Sequence, residues 1–119
     1  MSTQEDKPWH VEFYTTSHGH CPPLDYIENV TTAERAKIAK FISLLEKLGT
    51  RISMPHARPL VGHKPLWELR PMPSRLIYVA FQEKRLIVLH AFSKKKGDTP
   101  KEAIKLAEQR YHEFLERED

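Results

Sequence analysis

Little in this chain could cross-link it, anchor it in a bilayer or build it by repetition. It has a single cysteine, Cys21. An internal disulfide framework is therefore excluded, and a lone thiol fits a reducing compartment. No apolar run approaches the roughly 20 residues that a membrane-spanning helix needs. The opening segment, MSTQEDKPWH, is polar and acidic, unlike a secretory leader. There are no internal repeats and no low-complexity tract. A length of 119 residues suits one domain, residues 1–119, with a core of its own. The expectation is a small cytoplasmic domain.

What is present is a globular composition, 39% hydrophobic and 29% charged, which rules against disorder. The net charge of +3 is unevenly spread. Residues 1–50 hold 5 Lys/Arg against 7 Asp/Glu, and residues 101–119 hold 4 against 6. Residues 51–100 hold 10 against 3, with His56, His63 and His90 in addition. A basic middle between acidic ends points to an anionic partner engaged by the middle. Surface solubilisation by Lys and Arg also produces such clustering.

Residues 9–14, WHVEFY, are β-rich and alternate, as a strand does. Pro22 and Pro23 open a helical turn through LDYIEN, with Leu24 and Ile27 one turn apart. Thr31 and Glu34 form a capping box for a longer helix whose stripe is Ile38, Phe41, Ile42, Leu45 and Leu48, stopped by Gly49. Residues 50–65 contain Pro55, Pro59, Gly62 and Pro65 and read as an irregular basic loop. Strands are predicted at about 66–70, 75–82 and 85–92. A last helix begins with Thr99 as cap, Pro100 at the first position and Glu102 closing a second box. Its buried face is Ile104, Ala107, Tyr111, Phe114 and Leu115. The order β-α-α-β-β-β-α predicts an α+β domain, an antiparallel sheet of about four strands with helices packed on one face.

The stretch LWELRPMPSRLIYVAF, residues 66–81, places an arginine on each side of a Pro-rich turn. Pairing across that turn sets Arg70 opposite Arg75 and Glu68 opposite Ile77. A two-residue turn at Glu83–Lys84 then pairs Ile77 with His90 and Arg75 with Phe92. Alternation divides the side chains. Trp67, Leu69, Leu76, Tyr78, Ala80, Ile87, Leu89 and Ala91 face the helices. Glu68, Arg70, Arg75, His90 and Lys94 share the other face with Ile77, Val79, Val88 and Phe92. Two facing arginines repel. A bound polyanion would relieve the repulsion, as would a salt-bridge network with Glu68 and Asp98.

The segments LWELRP, RLIYVAF and IVLHAFSKKKGDTPKEAIKLAEQRYHEF resemble the RelE/ParE superfamily of bacterial type II toxins. The likeness is greatest to its HigB-like, phage-related branch, which HGHCPPLDYIENVTTAERAKIAKFISLLEKLGT and RPLVGHKPLWELR also fit. The resemblance implies a microbial-RNase-like fold and ribosome-dependent cleavage of messenger RNA in the A site. It also implies a cognate helix-turn-helix antitoxin. Basic residues on which the family's activity depends match Arg70, Arg75 and the run Lys94–Lys96. The RelE type member uses a tyrosine near its C-terminus. Here Tyr111 falls on the apolar stripe of the last helix, and this branch generally lacks that tyrosine.

Transphosphorylation gathers negative charge on the phosphorane, which fixed cations stabilise. Arg70 and Arg75 suit that role because guanidinium grips phosphate with two bonds. Lys94 and Lys95 add charge or hold the backbone, and His90, Glu68 or a lysine could carry protons. No cofactor or metal is required. His56, Arg58, His63, Lys64 and Lys96 are candidate contacts to RNA or to ribosomal RNA, against a reading of them as solvated loop residues. HGHC, residues 18–21, has no second ligand pair at a standard spacing, so a metal site is not expected. Two alternatives stand beside the nuclease. A ParE-like gyrase inhibitor would not need the basic cluster, and a non-catalytic RNA- or ribosome-binding module could spread its charges.

Overall fold

The structure is a computed structural model, and residues 8–118 are the ones described. In chain order the elements are β1 (His10–Phe13), α1 (Pro22–Asn29), α2 (Thr32–Leu48), β2 (Ala57–Pro59), β3 (Trp67–Leu69), β4 (Ser74–Phe81), β5 (Arg85–Ser93) and α3 (Lys101–Glu118). A 3-10 turn, Gly49–Arg51, follows α2. The start of α2 is set by its capping residue: Thr31 Oγ1 accepts from the Glu34 amide at 3.1 Å. Its end is set by Gly49 at φ 54°, where a β-carbon would fall inside the Trp9 indole. Glycine is needed there both for the backbone and for the space.

The strands form one five-stranded sheet in the order β1-β5-β4-β3-β2. β1 runs parallel to β5 and the other pairings are antiparallel. The α+β class and the element order therefore hold, but the expected sheet of about four antiparallel strands is a mixed sheet of five. The extra strand, β2, lies inside the stretch read as an irregular loop. It has three residues and ends in Pro59 at the sheet edge, where a missing N–H costs nothing. The direction of β1 has no sequence signal, because it joins β5 across most of the chain rather than by a hairpin.

Helices also cover both faces instead of one. On one face α3 lays Ala103, Ile104, Ala107 and Phe114 over Ile77, Val79, Ile87 and Leu89. On the other, α1 and α2 lay Ile27, Ile38 and Leu45 over Leu69, Leu76, Tyr78, Leu86 and Val88. Residues 74–79 of β4 are buried without a break, as in a strand covered on both sides.

One irregularity sets which side chains share a face. Ile77 opposes His90 and Tyr78 opposes Val88, so Leu89 is the extra residue of a β-bulge. The pairings nearer β3, Arg75 with Phe92 and Ile77 with His90, are those expected. Beyond the bulge the register moves by one, and Phe81 rather than Gln82 meets Arg85. Glu83 and Lys84, both at positive φ, close the turn. Ile87 and Leu89 consequently lie under α3, and Val88 faces α1 and α2, the reverse of simple alternation.

Candidate functional site

The β3–β4 connection, residues 70–73, marks one end of the sheet. The starts of β2 and β4 and the ends of β3 and β5 meet there, and residues 94–100 lead from it into α3. Pairing delivers the charged side chains. Arg58 lies opposite Glu68 across β2–β3, and Glu68 opposite Ile77 across β3–β4. Glu68 thus points to the α3 face between its neighbours.

Glu68 has no solvent exposure. Its Oε1 accepts from Arg70 Nη1 at 2.6 Å and from Arg58 Nε at 3.2 Å. Its Oε2 accepts from the Thr99 hydroxyl at 2.7 Å and lies 3.8 Å from Arg75 Nη1. Thr99 Oγ1 in turn accepts from Arg58 Nη2 at 3.3 Å. Three guanidiniums therefore surround one carboxylate. The repulsion expected between Arg70 and Arg75 is met inside the protein by Glu68, while Asp98 acts on Arg75 only at a distance.

Arg75 is the largest fully buried side chain among the described residues, with no exposure. Its Nη2 donates to the Gly97 carbonyl at 2.9 Å, but Nε and Nη1 make no hydrogen bond among the described residues. Burial lowers its pKa, against the pull of Glu68, and the charges of Arg70 and Arg58 lower it further. The ionic cluster at the opposite end of the sheet makes the contrast. There Arg85 is bound by two carboxylates, Glu12 and Glu118, which raise its pKa. One end has two anions per cation; the other has three cations for one anion.

The run Ser93–Asp98 borders the cluster. The Lys94 amide donates to the Pro73 carbonyl at 2.9 Å, which pins the loop beside the β3–β4 connection. Lys94 is half-buried, Lys95 and Lys96 are exposed, and no ion pair among the described residues engages any of the three. His90 is further away. Its ring stacks on Phe92 at 5.1 Å and its Nδ1 lies 3.4 Å from Arg110 of α3. Burial, with a smaller contribution from Arg110, pushes its pKa down to about 4. His90 is therefore a neutral ring packed beneath α3. Tyr111 packs against the α3-side core.

The remaining candidates divide. Arg58 belongs to the cluster itself. His56 adjoins it, since its carbonyl accepts from the Arg70 amide at 2.8 Å. His63 and Lys64 do not adjoin it. They lie in the β2–β3 loop at the other end of those strands, and His63 is 3.2 Å from Glu108 of α3. Thr99 was expected only as a helix cap, whereas α3 begins at Lys101 and the hydroxyl is directed to Glu68 and Arg58. No spacing rule in the sequence signals that role. His18 and His20 are exposed on the loop before α1. No three His, Cys, Asp or Glu side chains among the described residues are grouped to hold a metal ion, and no described helix is long and apolar enough to cross a membrane.

Set against known proteins, residues 25–112 match the profile of the family described as phage derived protein Gp49-like (DUF891). The fold matches a chain of the archaeal RelE–RelB complex from Pyrococcus horikoshii OT3 with a TM-score of 0.57 and 15% identity, covering 76% of this chain and 99% of that one. At that identity the likeness concerns the fold. No curated protein matches the chain.

Proposed function

The chain belongs to the phage-derived Gp49-like family and has a RelE-like fold; from that premise we propose that it is the toxin of a type II toxin–antitoxin pair, a ribosome-dependent endoribonuclease that cuts messenger RNA in the A site. The observation that carries the proposal is the charge imbalance at the β3–β4 end. Arg58, Arg70 and Arg75 share one buried carboxylate, so three cations face one anion. The surplus positive charge, reached from solvent through the partly exposed Arg58 and Arg70, favours an incoming anion.

In the proposed reaction the ribose 2′-hydroxyl gives its proton to solvent water as it bonds to the adjacent phosphorus, closing a 2′,3′-cyclic phosphate. The bond to the 5′-oxygen breaks, and that oxygen takes up a proton. Arg70, 15% exposed in its side chain, is the guanidinium that reaches the phosphate. Arg75 supplies charge from behind, where low dielectric strengthens it. Glu68, enclosed by three cations and a hydroxyl, is their counter-ion and orients them; it is not the base. His90, neutral and covered by α3, does not reach the phosphate, and the Lys94–Lys96 run is the nearest source of a proton for the leaving oxygen. Neither metal nor cofactor enters the scheme. The site would act in the cytoplasm, with mRNA and ribosomal RNA as partners and a helix-turn-helix antitoxin masking it. The solved relative is itself a RelE–RelB complex.

The test is primer extension on mRNA from a reconstituted translation reaction, with and without ribosomes, for the native protein and for Arg70→Ala. Ribosome-dependent cuts that disappear with Arg70 support the reading. Folded protein that makes no cuts refutes it and returns the assignment to gyrase inhibition or to binding without cleavage. That last alternative is favoured by one observation, the full burial of Arg75 beneath the Gly97 carbonyl.

A further inference from the structure

We infer that the groove between α2 and the turn at His56 is a second subsite, which takes a nucleobase and flanking phosphates of single-stranded RNA next to the arginine cluster. The inference rests on the RNA-directed reading above. The groove holds about 440 Å³ and is lined by Lys40, Phe41, Ser43, Leu44, Lys47 and His56. The rings of Phe41 and His56 are 5.4 Å apart and inclined at 58°. They form a corner against which a flat base can lie on either wall. Lys40 and Lys47 are exposed and two helical turns apart, roughly 10 Å along α2, so they flank the rings on one face. No carboxylate lines the groove. Aromatic walls between ammonium groups are the combination that holds single-stranded nucleic acid, by stacking and by backbone charge.

Position ties the groove to the cluster. His56 bonds through its carbonyl to the Arg70 amide, and Lys37 of α2 donates to the Met72 carbonyl of the β3–β4 connection at 2.8 Å. A strand leaving Arg70 therefore meets Lys37 and then Lys40, His56 and Phe41 as it rounds the edge of the sheet. The α2 lysines continue the positive charge of the cluster. An acidic peptide would satisfy the lysines without using the ring corner, and a lipid chain would use the rings without needing charge at both ends. A nucleotide uses both.

The test is fluorescence anisotropy of labelled di- and octaribonucleotides in low salt, each titrated with salt. For the octanucleotide, the Lys40→Ala/Lys47→Ala pair should flatten the slope of log K against log salt by about 1.4, two phosphates at roughly 0.7 each. Phe41→Leu should weaken octanucleotide binding about 5- to 100-fold. The dinucleotide, able to fill only the arginine cluster, should bind all three proteins alike. Because the two lysines are surface groups, their pair decides the matter even if Phe41→Leu fails to fold. Octanucleotide affinity and slope unchanged in the lysine pair would overturn the inference, as would equal losses for both lengths. Arg70→Ala reports on the cluster separately. If it leaves dinucleotide binding intact while the groove variants still weaken the octanucleotide, the cluster reading fails and the groove stands.

Discussion

Replacing Glu68 by glutamine removes one charge and almost no volume, so it isolates what that carboxylate does. Glu68 has no exposure and holds Arg70 at 2.6 Å, Arg58 at 3.2 Å and Arg75 at 3.8 Å. Arg58 and Arg70 are partly exposed, at 29% and 15%, and can turn to water. Arg75 cannot, because it is enclosed and its only hydrogen bond among the described residues is to Gly97. Glu68→Gln therefore strands a buried guanidinium without its counter-ion, which costs about 3–5 kcal/mol. In a domain of this size that lowers Tm by on the order of 10–20 °C. Arg75→Met alone should cost less, since Glu68 keeps Arg70, Arg58 and Thr99. The double variant should be more stable than Glu68→Gln, with a coupling above about 1 kcal/mol. Differential scanning calorimetry on the four proteins closes the cycle. A Glu68→Gln protein melting within about 2 °C of the native one would refute the view of Glu68 as the charge on which the cluster depends.

Other outcomes follow from the same geometry. In the translation assay, Arg70→Ala should cut cleavage by on the order of 10²-fold or more, while Lys64→Ala, at the far end of β2 and β3, should leave cleavage of a bound message nearly unchanged; equal losses would contradict the placement of the site. His90, with a pKa held down to about 4, binds fewer protons folded than unfolded between about pH 6.5 and pH 4, so stability should fall as pH drops through that window. Urea titrations across that window should show a flatter profile for His90→Phe; an unchanged profile would remove His90 as its source. Gly49→Ala should destabilise by more than about 1 kcal/mol, from the positive φ and the Trp9 ring together. Denaturation followed by tryptophan fluorescence measures it, and a neutral result would mean that Trp9 gives way freely.

The sequence carried a good deal of this protein, and the parts it carried are local. The Thr31 cap on the Glu34 amide, the Gly49 stop, the Pro22–Pro23 helix start and the pairing of Arg75 with Phe92 depend on residues near in sequence or joined by a short turn. The grouping of Glu68, Arg70 and Arg75 followed from the same turn. Only the tertiary structure decided the rest. The parallel course of β1, the three-residue β2 and the bulge at Leu89 depend on contacts between distant segments, for which periodicity has no signal. The bulge alone exchanged the faces of Ile87, Val88 and Leu89, and His90 lies beneath α3 because that helix covers the face it shares with Ile77. Residue types gave three arginines and one glutamate. Packing them at the end of a sheet covered on both faces made Glu68 the shared counter-ion and enclosed Arg75, because exclusion of water, which no linear pattern records, sets what a charge can do.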